Sequence, residues 1–324
     1  MSGTSALRTW WAQRPPATGA AVLATGILSV GLRLTGYDLL ADVILALAAL
    51  AWLGLAADIS LRLLRERDRW LAEARSPVAL TAVAATTVLG TGVSALGGLQ
   101  LAEALLALAV ALWAVLVLLV VRNWRRGMSG VVFLGCVATE GIAVLGAALA
   151  TTVGVAWLAH TALVFFWLGL ASYVAGLWCF DLRQVATGAG DQWVAGGALA
   201  ISALAGAKLL DAAQSGLYLW NNDDNDVLRA VTVGLLALAC LWYCVLAAAE
   251  LRWPRSHYDV RRWGTVFPMG MTAVAALSVA TAMGAPWLRG PGQVLLWIAV
   301  AVWCAVLVGA ARPALGTVRS TAPR

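Results

Sequence analysis

RRWGTVFPMGMTAVA, residues Arg261 to Ala275, opens with two arginines and a tryptophan and then turns apolar. Pro268 stands a few residues inside the apolar run, directly after Phe267. A proline inside a helix removes a backbone hydrogen bond and crowds the preceding turn, at a cost of roughly 3 kcal/mol. In a membrane helix that break is tolerated where the freed carbonyl meets protein or lines a cavity. The composition places the stretch in a membrane: 62% of the 324 residues are hydrophobic, 12% are charged, and the mean hydropathy is +0.85. A soluble domain carries about 25% charged residues.

Working outward from this stretch, ten apolar runs cover residues 17–34, 39–61, 78–96, 101–121, 131–153, 155–180, 193–210, 227–249, 264–285 and 294–311. A helix of about 20 residues is about 30 Å long, the thickness of the hydrocarbon core. Lipid leaves only helices or a closed barrel as spanning structures. The runs are continuous rather than alternating, which selects helices. The expected fold is a single all-α integral membrane domain over residues 1–324, with ten transmembrane helices in five hairpins. The first run lacks a short leader core and a small-residue cleavage site, so no cleavable signal peptide is expected.

The formal charge of +6 does not point to nucleic acid, because the basic residues sit in short loops between apolar runs. All but Lys208 are arginines. With an even number of spans, eighteen basic residues fall on the side of both termini and four (Arg33, Lys208, Arg229 and Arg289) on the other. The expected topology is a multi-pass protein of the cell membrane with both termini cytoplasmic. The acidic stretch NNDDNDV, Asn221 to Val227, lies on the outer side. It lacks the central glycine and terminal glutamate of an EF-hand, so a solvated loop is expected there. The five cysteines all lie inside apolar runs and form no CxxC pair. Cys240 and Cys244 are one helical turn apart, but only His160 and His257 are available beside them. Neither a metal site nor any other cofactor is expected.

The odd-numbered runs share a texture of Gly, Thr, Ser and Ala: ATGILSVG in the first, LGTGVSALGG in the third, GALAISALAGA in the seventh. The even-numbered runs are richer in Leu and Trp. Small residues let helix backbones approach closely and leave room for a lumen. The arrangement expected from this alternation is an inner ring of odd helices and an outer ring of even ones. The residues expected along the lumen are Thr25, Gly26, Thr91, Gly92, Thr139, Glu140, Gly196 and Gly197.

Three segments resemble one family in the right order. PPATGAAVLATGILSVG is similar to the opening helix of the tellurite-resistance/C4-dicarboxylate transporter family. GDQWVAGGALAISALAGA resembles its seventh helix, and RRWGTVFPMGMTAVA its ninth, with the W-x-x-x-F-P pattern. The family includes bacterial tellurite-resistance channels, plant slow anion channels, and fungal malate carriers and sulfite exporters. The resemblance implies five hairpins around a central pore, a homotrimer with one pore per subunit, and transport of small inorganic or organic anions. It also implies a phenylalanine gate on the ninth helix, here Phe267, with Gly264, Pro268 and Gly270 as the kink that carries it.

Glu140 departs from the expected pattern by putting a carboxyl near the middle of the fifth run. An intramembrane carboxyl is costly and functional by default. If it is ionised, it repels an anion or serves proton-coupled carriage of a weak acid such as malate or sulfite. If it is neutral or paired, it fixes helix packing. Lys208 and Asp211 share a helix face and are expected to pair with each other. An intramembrane enzyme lacks support: there is no H-E-x-x-H pattern, no Ser–His arrangement, and no Gly-rich loop followed by Lys. A passive scaffold has no need of a Phe-Pro break.

Overall fold

The computed structural model describes residues 18–217, 224–254 and 259–320. Ten long helices organise them: α1 (Thr18–Leu34), α2 (Asp38–Arg65), α3 (Thr81–Ala95), α4 (Leu99–Val121), α5 (Leu134–Val153), α6 (Ala156–Cys179), α7 (Val194–Gln214), α8 (Asp224–Arg252), α9 (Trp263–Ala282) and α10 (Arg289–Ser320). Among the described residues there is no strand, only one isolated bridge between Met128 and Phe180. Among the described residues, nine helical segments are long and apolar enough to cross a membrane. The tenth expected span is the shorter apolar helix Gly19–Leu34. The expected limits agree with the helices to within a few residues, except that α8 begins earlier and α10 extends at both ends.

Burial separates the helices into two sets. In α3, α5, α7 and α9, between 67% and 94% of the apolar window is buried. In α2, α4, α6, α8 and α10 the share is 17% to 39%. The low-burial helices expose side chains such as Leu39, Leu64 and Leu251, each more than 80% exposed. Such an apolar surface would aggregate in water but matches lipid. Each buried helix packs along the exposed helix that follows it, and the five helices α1, α3, α5, α7 and α9 contact one another in cyclic order.

The chain turns from each buried helix to its exposed neighbour through a glycine at positive φ: Gly36, Gly97, Gly154, Gly216 and Gly284. A left-handed residue past the helix end closes the last carbonyls, and glycine takes it without penalty. At the opposite end, α3, α5, α7 and α9 are each entered through a 3-10 turn: Pro77–Leu80, Gly130–Phe133, Asp191–Trp193 and Val260–Arg262. A short helix, Arg67–Ala74, lies between α2 and α3. Arg62 holds it, with its guanidinium donating to Glu73 at 2.8 and 2.9 Å and pairing with Asp58 at 3.0 Å.

Candidate functional site

Residues of α1, α3, α5, α7 and α9 line two neighbouring spaces. The outer one, about 260 Å³, is lined by Ser29 and Arg33 of α1, Thr91 and Gly92 of α3, Thr151 of α5, Lys208 of α7 and Ser278 of α9, among others. The inner one, about 10 Å³, is lined by Ile27, Val30, Thr87, Val88, Thr91, Gly141, Val144, Ile201, Leu204 and Met271. The two share Val30, Thr91, Val144 and Leu204 in their walls. The inner space is about one water in size. Every one of the five helices contributes to it, and most of its wall is aliphatic.

Phe267 lies one helical turn before Met271 on the same face of α9. Its side chain is 1% exposed. Across from it is Gly197 of α7, itself one turn before Ile201. A Cβ at Gly197 would stand 3.0 Å from Phe267 Cε1 and 2.9 Å from Pro268 Cγ. The absence of that Cβ leaves the space that the ring and the pyrrolidine occupy. The helical pattern of α9 continues from Trp263 to Ala282 with Pro268 inside it. Pro268 cannot donate to Gly264, and its own carbonyl accepts an additional bond from the Thr272 hydroxyl at 2.8 Å. Gly264 lies against the backbone of Gly190 and Asp191, and Gly270 against Ile27 and Leu28 of α1.

The charged groups of the outer space are paired. Lys208 reaches Asp211 at 3.3 Å, as its helical spacing suggested. Arg33 pairs with Asp42 and, at 3.6 Å, with Asp38. Ser278 lines this space, and its buried Oγ has no hydrogen-bond partner among the described residues.

Of the residues expected along the lumen, Thr91 and Gly92 line the outer space and Gly197 faces Phe267. The others are placed on different faces. Thr25 accepts from Trp303 Nε1 of α10 at 3.0 Å, and Thr139 from Trp113 Nε1 of α4 at 2.8 Å. Gly26 is packed by Val88 and Ala48, and Gly196 by Trp242 of α8. Glu140 lines neither space. Its carboxyl is fully buried, with Oε1 2.9 Å from Ser202 Oγ of α7, and it occupies the room left by Gly169 of α6. Neighbouring helix positions differ by about 100°, so Gly141 lines the inner space while Glu140 points away. Sequence alone did not single out Ile27, Val30, Val144, Ile201, Leu204 or Met271, because an aliphatic residue in a membrane helix carries no mark of which way it faces.

Two larger spaces, about 390 and about 670 Å³, share no lining residue with these two. The first is walled by α2, the short helix, the start of α3 with its 3-10 turn, and α4, the second by α4, α5 and α6. Among the described residues no group of three His, Cys, Asp or Glu is placed to hold a metal. Cys136, Cys179, Cys240, Cys244 and Cys304 are free. His257 and residues 221–223 of the acidic stretch lie outside the described residues, and the rest of that stretch opens α8 instead of forming a loop.

A family model described as voltage-dependent anion channel matches residues 13–311. The chain belongs to that family. The match takes in all ten long helices except the end of α10. With its long apolar helices, this chain is accordingly a multi-pass membrane protein. Uncharacterized membrane proteins of two Mycobacterium tuberculosis strains are 32% identical to it over 123 residues, 36% of this chain. The chain spans 60% of the length of these curated relatives.

Proposed function

We propose that the chain conducts small inorganic or organic anions along the line of the two central spaces. In this reading the five buried helices form the pore ring, the exposed helices form an outer ring against lipid, and Phe267 closes the path. The observation that carries it is the inner space: all five buried helices wall it, it admits about one water, and Phe267 stands one turn further along the face of α9 that reaches it. An aliphatic constriction of that width excludes ions by dewetting. Thr91, Gly92 and Gly197 belong to the path, together with Arg33, Lys208 and the unpartnered Ser278 hydroxyl at its outer mouth. Pro268, with Gly264 and Gly270, is the weak point at which α9 bends to withdraw the ring. Family membership supports anions as the cargo. Proton-coupled carriage is less well supported, since Glu140 lines neither central space. The assembly is read as a homotrimer of ten-span subunits in the cell membrane, each with its own pore and both termini cytoplasmic.

The test is anion efflux from liposomes carrying equal amounts of folded wild-type and Phe267→Ala protein. Removing a plug raises efflux. Removing a packing residue costs about 3–5 kcal/mol of stability and gains no flux. Unchanged or slower efflux from the variant removes the gate from this account.

A further inference from the structure

Glu140 presents a counting problem. Ser202 Oγ lies 2.9 Å from Glu140 Oε1 and also 2.9 Å from the carbonyl oxygen of Ala198, one turn back on α7. A serine hydroxyl has one hydrogen and two acceptor lone pairs. If Glu140 is a carboxylate, both neighbours of Ser202 are acceptors and compete for that hydrogen. A shared three-centre bond then gives Oε1 half a donor, while Oε2, buried, has no partner among the described residues. Cys136 Sγ, 3.7 Å from Ser202 Oγ and 3.9 Å from the Ala198 carbonyl, is a weak donor and reaches neither carboxyl oxygen within hydrogen-bond distance.

The surroundings supply no charge to replace the missing donor. From α6 the carboxyl meets Gly169, from α7 Ser202, and on its own helix Cys136; Tyr173 of α6 stands beyond Cys136. No arginine, lysine or histidine among the described residues pairs with it. A buried charge without a partner is among the costliest things a protein interior holds.

We propose that Glu140 is a proton-binding site: its carboxyl is held as the neutral acid, donating through Oε1 to Ser202 Oγ, which donates in turn to the Ala198 carbonyl. Every hydrogen in the chain then has one acceptor. Oε2 becomes an uncharged carbonyl oxygen, whose lack of a partner costs far less than that of a carboxylate oxygen. The chain ties α5 to α7 beside Gly141, which walls the inner space. On the reading of that space as an anion path, the bound proton keeps a fixed negative charge away from its narrowest point.

Infrared spectroscopy of the full chain in an ester-free detergent tests the proton directly and does not depend on transport. The wild-type minus Glu140→Gln difference is expected to show the carbonyl stretch of a protonated carboxyl. Ser202→Ala is expected to shift that band to higher frequency, because the acid loses its acceptor. A difference spectrum showing the carboxylate stretch instead, or a band indifferent to Ser202→Ala, overturns the proposal. In liposomes Glu140→Gln, whose amide donates as the acid does, is expected to keep wild-type efflux, and a collapse of efflux in a folded variant also counts against the site. Wild-type liposomes without any anion efflux contradict the transport reading and leave the spectral result standing.

Discussion

Thr25, Thr86 and Thr139 each use one hydroxyl twice. Each donates to the carbonyl one turn back on its own helix: Ala21 at 2.8 Å, Ala82 at 2.7 Å and Gly135 at 2.8 Å. Each also accepts from an indole N–H on an exposed helix: Trp303 of α10, Trp52 of α2 and Trp113 of α4. The three ties run from the exposed helix of one pair to the buried helix of the next, and α10 to α1 closes the circle. A threonine on the far side of a buried helix therefore sets the helix's rotation, and with it which residues reach the central line. Interhelical hydrogen bonds in membranes are worth about 0.6 kcal/mol on average and reach about 1.7 kcal/mol. A double-mutant cycle of Trp303→Phe and Thr25→Val, read by unfolding in mixed detergent, is expected to give a coupling energy in that range. Additive single effects would show that the contact contributes no energy of its own.

At the scale of the element, glycines mark where backbones touch. Gly130, in the turn that enters α5, would place a Cβ 2.1 Å from the Asp191 carbonyl oxygen in the turn that enters α7. Backbone cannot give way as a flexible side chain can. Gly130→Ala is expected to cost at least the roughly 1–3 kcal/mol of overpacking, lowering the yield of folded protein. Gly54 on α2 has nothing within 4 Å of its Cβ position. Gly54→Ala is expected to be neutral or to gain up to about 1 kcal/mol from helix propensity. Comparing thermal stabilities of the two variants checks both signs, and equal losses would show that the contact is not what separates them. The contrast also explains what could be read beforehand. Helix limits were legible because long apolar runs bounded by arginines and glycines mark where helices begin and end. The alternation of small-residue and Leu/Trp-rich runs anticipated which helices are buried. Helix phase was not legible: Thr and Gly serve both for close packing and for lining, so Thr25, Gly26, Thr139 and Gly196 could not be told from Thr91 and Gly197. The turn glycines at 36, 97, 154, 216 and 284 were a fivefold signal available in the sequence, since each follows a buried helix directly.

For the whole molecule, the same unit recurs five times, and its two ends differ in charge. The ends carrying the glycine turns hold Arg33, Lys208, Arg229 and Arg289. The opposite ends hold Arg62, Arg65, Arg67, Arg75, Arg122, Arg125, Arg126, Arg183, Arg252, Arg261 and Arg262. Basic residues in short loops are retained on the cytoplasmic side during insertion. Acidic residues contribute little to that choice, so the ion pairs of Arg62 do not weaken the argument. On that rule the glycine-turn ends are expected outside and the 3-10 entries of α3, α5, α7 and α9 in the cytoplasm, the topology proposed above. Two exposed positions test this without disturbing a charge: Asn123, just after α4, and Gln100, in the first turn of α4. In a background lacking the five native cysteines, Asn123→Cys is expected to react with a membrane-impermeant maleimide only after the cells are opened. Gln100→Cys is expected to react in intact cells. The reverse pattern inverts the topology. Labelling of both positions from one side would show that α4 does not cross the membrane, which breaks the alternation on which every other span in the chain depends.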